Sequence, residues 1–121
     1  EQDTYEQFLV KKDVQFIEKI HQVIEENLDN SDFNIDTIAS TIGLSRSAFF
    51  KKLKSLTGFA PVDLVKEIRL NKSIELIKNS DMSISEIAFA VGFKDSGYFS
   101  KCFRKKYDQT PREYMNEWRK G

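Results

Sequence analysis

The sequence predicts an all-α fold of seven helices, in which two similar helical units are joined by a long helix. Apolar residues recur at spacings of three and four along most of the chain, as they do on one face of a helix. Almost nothing alternates between apolar and polar residues as a strand does. One pattern also occurs twice, because residues 35–44 and 84–93 match at a constant offset of 49 residues. Each unit alone would have a marginal core, so we expect the units to share a helix.

The first helix is expected to follow a polar stretch. Residues 1–12 are polar with scattered apolar side chains, which is typical of a linker or a lead-in from an upstream domain. Asp13 is a suitable N-cap and places negative charge at the start of a helix. An apolar stripe with helical spacing then predicts the first helix; it consists of Val14, Ile17, Ile20, Ile24 and Leu28. The polar residues 29–34 end this helix.

The repeated pattern has the properties of a helix-turn-helix. Such a unit needs a short first helix, a small residue where its helices meet, an unstrained turn and an amphipathic second helix. Ala39 and Ala88 are the small residues, and Gly43 and Gly92 supply the turns. Ser45 is the expected N-cap of the second helix in the first unit.

Capping residues and breakers set the remaining boundaries. The first helix-turn-helix spans about residues 35–58, the linker helix about 61–79, the second helix-turn-helix about 84–107, and the C-terminal helix about 111–119. Pro61 and Pro111 suit the first turn of a helix, where no amide donor is needed. Ser83 and Thr110 are each followed three residues later by a glutamate, which is the spacing of a capping box. We therefore assign residues 13–121 to one domain, with two helix-turn-helix subdomains joined by a long linker helix.

Large apolar side chains are expected on the buried side of each second helix. They are Phe49, Leu53 and Leu56 in the first unit, and Phe99, Phe103 and Tyr107 in the second. Trp118 and these phenylalanines are interpreted as core residues rather than as platforms for stacking bases. A linker helix of about 17 residues would be about 26 Å long. The second helices could then lie about 34 Å apart, which is one turn of B-DNA.

The formal net charge of zero conceals an uneven distribution of charge. Residues 1–36 hold ten acidic and three basic groups, whereas residues 37–121 hold nine acidic and sixteen basic groups. The part that contains the repeat is therefore basic, and a basic surface attracts phosphate. Taken alone, the charges fit about equally well with ordinary solvent-exposed faces that bind no phosphate.

The sequence offers no support for an enzyme. No nucleophile elbow, phosphate-binding loop or glycine fingerprint occurs, so we predict no catalytic residues and no cofactor. His21 and Cys102 are the only residues of their kinds and lie far apart, which predicts no metal site. His21 is expected at the surface and Cys102 as a small, half-buried filler.

Many residues, in order and spacing, resemble the AraC-type DNA-binding domain. They include Ile68-Arg69-Leu70, Ser83-Ile84, Glu86-Ile87-Ala88, Val91-Gly92-Phe93, Tyr98-Phe99, Thr110-Pro111 and Tyr114. The resemblance extends from about Asp13 to Trp118. The first unit, with Ser45-Arg46-Ser47 and residues 51–58, resembles output domains of hybrid two-component regulators from Bacteroides-type gut bacteria. In those proteins a sensor kinase, a receiver and this domain share one chain.

The resemblance implies which side chains contact DNA. The candidates for base contacts are Arg46, Ser47, Phe50, Lys51, Ser96, Gly97, Ser100 and Lys101. The candidates for phosphate contacts are Lys54, Lys94, Arg104 and Lys105. Arg46 and Lys51 could donate to guanine, whereas Phe50 could touch a thymine methyl or pack on Leu53 and Leu64. Since Gly97 and the serines are small, we expect the first unit to discriminate sequences and the second to bind mainly the backbone. Arg69 could pair with a buried acid or contact a phosphate.

The expected partner is double-stranded DNA. The resemblance further implies RNA polymerase as a partner of an activator, and receiver and kinase domains upstream in the same chain. We expect residues 1–121 on their own to be monomeric and the full-length protein to be dimeric. The domain is expected in the cytoplasm, and the full-length protein could carry an inner-membrane anchor and histidine kinase activity. The alternative is a helical protein-interaction module that does not bind DNA.

Overall fold

A computed structural model of the chain describes residues 2–119. It has seven α-helices and no strand within that range, which confirms the predicted all-α fold. The helices are α1 Gln2–Glu26, α2 Ile35–Ile42, α3 Arg46–Thr57, α4 Pro61–Asn79, α5 Ile84–Ala90, α6 Ser96–Tyr107 and α7 Pro111–Trp118. None of the described helices is long and apolar enough to cross a membrane. Glu1, Lys120 and Gly121, which fall within the predicted domain bounds, lie outside the described residues.

The start of the first helix was predicted wrongly. Helix α1 begins at Gln2, eleven residues before the predicted cap at Asp13. Residues 2–12 contain no glycine or proline, so their polar composition does not interrupt the helix. Whether residues 1–12 lead in from an upstream domain stays a prediction.

The buried stripe of α1 also differs from the predicted one. Phe16, Ile20, Val23 and Ile24 are buried, whereas 48% of Val14 is exposed. Phe16 and Val23 lie seven residues apart on one face, whereas Val14, two residues before Phe16, lies on the opposite side of the helix. Helix α1 therefore has an apolar face that its own domain does not cover.

The chain forms two compact units. Unit 1 comprises Glu1–Asn27 and Asn34–Val65, and unit 2 comprises Leu28–Phe33 and Lys66–Gly121. Helix α4 begins in unit 1 and continues through unit 2, as the predicted linker helix requires. The short segment 28–33, although it follows α1 in the chain, belongs to unit 2.

The core of unit 1 forms where α1, α2 and α3 meet. Ile38, Ala39, Phe49 and Leu53 are buried there, and the rings of Phe16 and Phe49 lie 6.2 Å apart. Leu56 was predicted to be buried, but 39% of it is exposed. It lies in the last turn of α3, just before the chain leaves the helix at Gly58.

The core of unit 2 is a row of aromatic rings. Phe93 contacts Phe99, Phe99 contacts Phe103, and Phe103 contacts both Tyr107 and Tyr114, with centroid separations of 4.6–5.8 Å. Trp118 was predicted to be core, but 54% of it is exposed. It stacks on Tyr114 at the end of the row and has Lys78 Nζ 4.3 Å from its ring centroid. The row therefore ends at the surface with the last residue of α7.

Candidate nucleic-acid interface

Helix α3 begins at a cap that the sequence predicted. The backbone N–H of Ala48 donates to the Ser45 hydroxyl at 3.1 Å. The preceding turn at Gly43 has a φ of 86°, which glycine adopts without a steric penalty. This turn ends α2 and lets α3 start at Arg46.

The predicted contact residues of α3 share one exposed face. Positions 46, 47, 50, 51 and 54 are separated by one or three residues, and all five side chains are exposed. The buried Phe49 and Leu53 hold the opposite side of the helix in the core of unit 1. Helix α3 thus presents one arginine, two lysines, a serine and a phenylalanine together.

Phe50 does not belong to the core. It is 46% exposed, whereas Leu53 and Leu64, the two residues on which it could have packed, are buried. Of the two roles that the sequence left open, packing inside the domain is therefore not supported. An exposed ring on this face is free to approach an apolar group such as a thymine methyl.

Arg46 has an acidic neighbour. Its Nε lies 3.6 Å from Asp36 Oδ1, at the start of α2, and both side chains are largely exposed. An exposed pair of this kind contributes little stability because water screens it. The carboxylate does, however, give the guanidinium a preferred direction when DNA is absent.

Helix α6 begins after the second turn. The Asp95 carboxylate accepts a hydrogen bond from the N–H of Gly97 at 2.7 Å and so caps the helix. Gly97, Lys101, Arg104 and Lys105 are exposed, while Ser96 and Ser100 are half-buried. This face carries three cations, as that of α3 does, but its other side chains are only glycine and serine.

A shallow groove along α6 collects the predicted cations. It is lined by Ser100, Lys101, Arg104, Lys105, Asp108 and Thr110. Three positive charges and two hydroxyls suit a phosphate, and the single carboxylate lies at the end of the helix. The structure therefore brings Ser100, Lys101, Arg104 and Lys105 together as the sequence predicted.

Lys94 lies in the turn before α6. Its Nζ is 2.9 Å from Asp32 Oδ1, in the segment 28–33, and both side chains are more than two-thirds exposed. A later basic residue on α6, Lys106, is different, because it donates to Glu67 and Asn71 and is half-buried. Lys106 therefore supports α4 rather than the groove.

Arg69 takes neither of the roles considered from the sequence. Its Nη1 donates to the carbonyl of Gly92 at 2.7 Å, and its Nη2 donates to the carbonyl of Asn30 at 3.0 Å. Burial lowers the pKa of the guanidinium. Arg69 thus fixes the turn of the second helix-turn-helix against segment 28–33. Its acceptors are backbone carbonyls, so no spacing of side chains could have identified them.

Tyr98 belongs to the candidate interface and was missed. It is 49% exposed and precedes Lys101 and Lys105 by three and seven residues, which places it on their side of α6. Lys66 Nζ lies 5.8 Å from the centroid of its ring. The helical spacing of Tyr98 to the two lysines could have identified this residue from the sequence.

His21 lies where it was expected, whereas Cys102, which was expected to be half-buried, is buried. His21 is exposed on α1, and Cys102 is buried in α6. Among the described residues, no group of three or more histidine, cysteine, aspartate or glutamate side chains could hold a metal ion.

The family of the chain follows from comparison with known proteins. Residues 38–117 match a helix-turn-helix domain family. Several solved structures with the same fold are AraC-type DNA-binding domains or response-regulator domains. The chain belongs to the AraC-type helix-turn-helix family of DNA-binding domains.

Two curated relatives are much longer than this chain. One is "Histidine kinase P4" of Formosa agariphila, 38% identical over 106 residues that make up 88% of this chain and 8% of the relative. Another is the transcriptional regulator MtrA of Neisseria gonorrhoeae, 34% identical over 98 residues, or 81% of this chain and 32% of the relative. The chain therefore spans only a small part of each.

Two solved structures illustrate the similarity in fold. The C-terminal domain of the two-component response regulator yesN from Fusobacterium nucleatum is 31% identical, with a TM-score of 0.73. The similarity covers 81% of this chain and 95% of that one. The DNA-binding domain of AdpA, in complex with a target DNA, is 28% identical with a TM-score of 0.78. For AdpA the coverage is 86% of this chain and 92% of that one.

Proposed function

We propose that this domain is the DNA-binding output part of a two-component signalling protein that regulates transcription. Helices α3 and α6 would each enter a segment of the major groove. The observation that carries this proposal is the pair of exposed faces, each on the second helix of a helix-turn-helix and each rich in basic residues. The similar DNA-bound domain of AdpA supports the same mode of binding.

The two faces are suited to different contacts. Arg46, Lys51 and the exposed Phe50 on α3 can reach base edges, because their side chains are long and none of them is buried. The groove on α6 combines Lys101, Arg104 and Lys105, which fits the sugar-phosphate backbone. We therefore assign most of the sequence discrimination to α3 and most of the backbone affinity to α6.

The wider setting is proposed from the relatives. A histidine kinase and a response regulator are among the similar proteins, so receiver and kinase domains in the same chain are consistent with the match. We further propose contact with RNA polymerase, a dimeric full-length protein, and a cytoplasmic position for this domain. Kinase activity and any membrane anchor would belong to other parts of the full-length protein.

A binding experiment with random-sequence duplex DNA tests the proposal. At low salt the chain should shift the pool in a gel, because lysine and arginine displace counterions from phosphates. Repeated selection should then enrich two sequence blocks spaced by about one helical turn. The better defined of these two sequence blocks should be the one that α3 contacts.

A matched pair of variants provides the control. The double variant Lys101→Ala/Lys105→Ala should bind the pool much more weakly. Lys11→Ala/Lys19→Ala removes the same charge from α1 and should bind as the wild type does. Failure of the wild type to bind DNA at low salt would contradict the proposal and favour a helical protein-interaction module.

A further inference from the structure

Phe50 is the only apolar side chain among the predicted contact residues of α3. Its ring is 46% exposed, while the adjacent Phe49 is buried and anchors the helix in the core of unit 1. The exposed neighbours of Phe50 one turn away are Arg46, Ser47 and Lys54. A single ring among polar and cationic side chains is not the contiguous apolar patch that a protein partner would cover. The surroundings of Phe50 therefore favour a partner that is itself mostly polar.

The base edges in the major groove carry one kind of apolar group. Hydrogen-bond donors and acceptors line most of the groove, and the 5-methyl group of thymine is the exception. Phenylalanine is one of the side chains that make an apolar contact with this methyl group. Contact removes the methyl group and part of the ring from water, which is favourable. Of the features of a base edge, Phe50 thus fits the methyl group of thymine.

Arg46 lies one helical turn before Phe50, at a spacing of four residues. The two side chains therefore emerge about 6 Å apart along the helix, and successive bases in DNA are separated by about 3.4 Å. The Arg46 side chain is 71% exposed, with its Nε near Asp36 Oδ1. A guanidinium has five N–H donors, so a partner at Nε leaves others for guanine O6 and N7. A guanine beside the thymine, or one base pair away, is within reach of Arg46.

The second unit lacks both of these side chains. Beyond the turn the two units match at an offset of 50 residues. At this offset Phe50 corresponds to Ser100 and Arg46 to Ser96, and both serines are half-buried. A serine has little apolar surface to cover a methyl group, and it lacks the multiple donors of arginine. The repeat therefore confines this pair of side chains to α3.

We propose that α3 recognises the 5-methyl group of a thymine through Phe50, near a guanine bound by Arg46, and that α6 makes no such contact. This inference rests on the proposed function and names the bases that α3 would read. The sequence block that α3 contacts should contain a thymine and a guanine that are adjacent or one base pair apart. Because the ligand is a pyrimidine methyl group, 5-methylcytosine in the same place would offer it too.

Replacing thymine by deoxyuridine removes only the methyl group and tests the contact directly. In a gel shift with the selected duplex, one such replacement in one block should weaken wild-type binding about fourfold, as expected for one methyl-sized group left in water. Replacements in the other block should leave the affinity unchanged. Phe50→Ala should bind the thymine and deoxyuridine duplexes equally. Phe89→Ala, which removes an exposed phenylalanine of α5, is the control and should retain the methyl effect.

Several outcomes of this experiment would overturn the inference. They are a wild type that is insensitive to the methyl group at every thymine, a methyl effect that survives in Phe50→Ala, equal methyl effects in both blocks, and a selected site without thymine. In each of them the wild type still binds DNA, so the proposed function stands. Failure to bind any duplex would instead contradict the proposed function, and this inference with it.

Modified bases at the same two positions test the pair of contacts further. With 5-methylcytosine at the position of the thymine, the wild type should bind about fourfold more tightly than with cytosine. Phe50→Ala should bind these two duplexes alike, and equal binding by the wild type would overturn the methyl contact. At the guanine, 7-deazaguanine lacks the N7 acceptor and should weaken binding of the wild type but not of Arg46→Ala. An equal loss in both proteins would show that another side chain binds the guanine.

Discussion

At the scale of single residues, Gly92 and Arg69 define the second turn. Gly92 has a φ of 91°, and an added Cβ would overlap the carbonyl oxygen of Leu28 and lie 2.7 Å from Arg69 Cζ. The arginine fills the space beside the glycine and donates to its carbonyl. The position of Lys94, two residues later, therefore depends on a glycine and an arginine that DNA need not touch.

We expect Gly92→Ala to destabilise the protein much more than Gly43→Ala. Gly43 has a similar φ of 86° but nothing within 4 Å of an added Cβ. Gly43→Ala should therefore lower the free energy of unfolding by about 1–2 kcal/mol, from the left-handed backbone alone. Gly92→Ala adds a steric clash and should cost about 3 kcal/mol or more. Urea denaturation of both variants measures the difference, and equal costs would argue against a tight turn at Gly92.

Arg46 and Lys51 should determine sequence preference. Arg46→Ala or Lys51→Ala should cost about 1–3 kcal/mol on a selected site if each side chain binds a base. The loss should be much smaller on random DNA, because base contacts add little there. Lys11→Ala is the control in α1. Unchanged affinity of both α3 variants for the selected site would remove these residues from base reading.

Residue-scale predictions from the sequence succeeded where a local pattern was sufficient. The exposed faces of α3 and α6 follow from helical spacing, and so do the buried Phe49, Phe99 and Phe103. Trp118 and Leu56, which lie in the last turns of their helices, were predicted to be core residues but are 54% and 39% exposed. The partners of Arg69 are two carbonyls from distant parts of the chain, which have no sequence signature.

At the scale of elements, side-chain caps set the start of most helices. Capping boxes start α5 and α7, as the spacing of Ser83 to Glu86 and of Thr110 to Glu113 predicted. At this scale the start of α1 was predicted wrongly. Its first eleven residues contain no glycine or proline, and Tyr5, Phe8 and Leu9 have helical spacing, although residues 4–12 bury nothing. Their polar composition therefore did not indicate a linker.

The capping box of α7 should make stability depend on pH. The backbone N–H of Thr110, and then its hydroxyl, hold the pKa of Glu113 below its ordinary value. A carboxyl whose pKa is lower in the folded state adds stability above its unfolded pKa, and that stability is lost as pH falls through the folded pKa. Glu113→Gln should therefore weaken the loss of stability in acid.

Thermal or urea unfolding between neutral pH and about pH 3 measures this effect. Glu117→Gln, in the last turn of the same helix, is the control and should retain the acid dependence of the wild type. Thr110→Ala should also lower the free energy of unfolding by about 1 kcal/mol, as the loss of an N-cap does. An acid dependence that Glu113→Gln leaves unchanged would contradict this explanation.

At the scale of the whole molecule, charge is separated along the chain. The formal net charge is zero, yet the helix-turn-helix units carry the basic excess and α1 with its following loop carries the acidic one. The sequence showed this separation directly. It could not show which basic residues face solvent, and the structure removes Lys106 and Arg69 from that set because each is held by partners within the domain.

The dependence of DNA affinity on salt concentration should distinguish the basic residues that face solvent from those that are held by partners within the domain. Lys105→Ala should weaken binding to all sequences alike and reduce the salt slope by about one counterion, as loss of a phosphate contact does. Lys106→Ala, one residue further, should lower stability but leave the salt slope unchanged, because Lys106 binds Glu67 and Asn71. Titrations at several salt concentrations separate the two, and equal slopes would mean that Lys106 also reaches DNA.

If Arg46 and Lys94 contact DNA as proposed, we expect the carboxylates beside them to affect how quickly the domain searches a genome. Asp36 and Asp32 lie beside these cations while DNA is absent, so a phosphate would compete with a carboxylate for them. Exposed pairs are worth about 0.2–1 kcal/mol each, which lowers affinity for arbitrary DNA by a few-fold at most. Shorter pauses on wrong sites leave more time for sampling new ones. On the proposed function, we therefore expect the two acids to lower affinity slightly and to speed the search.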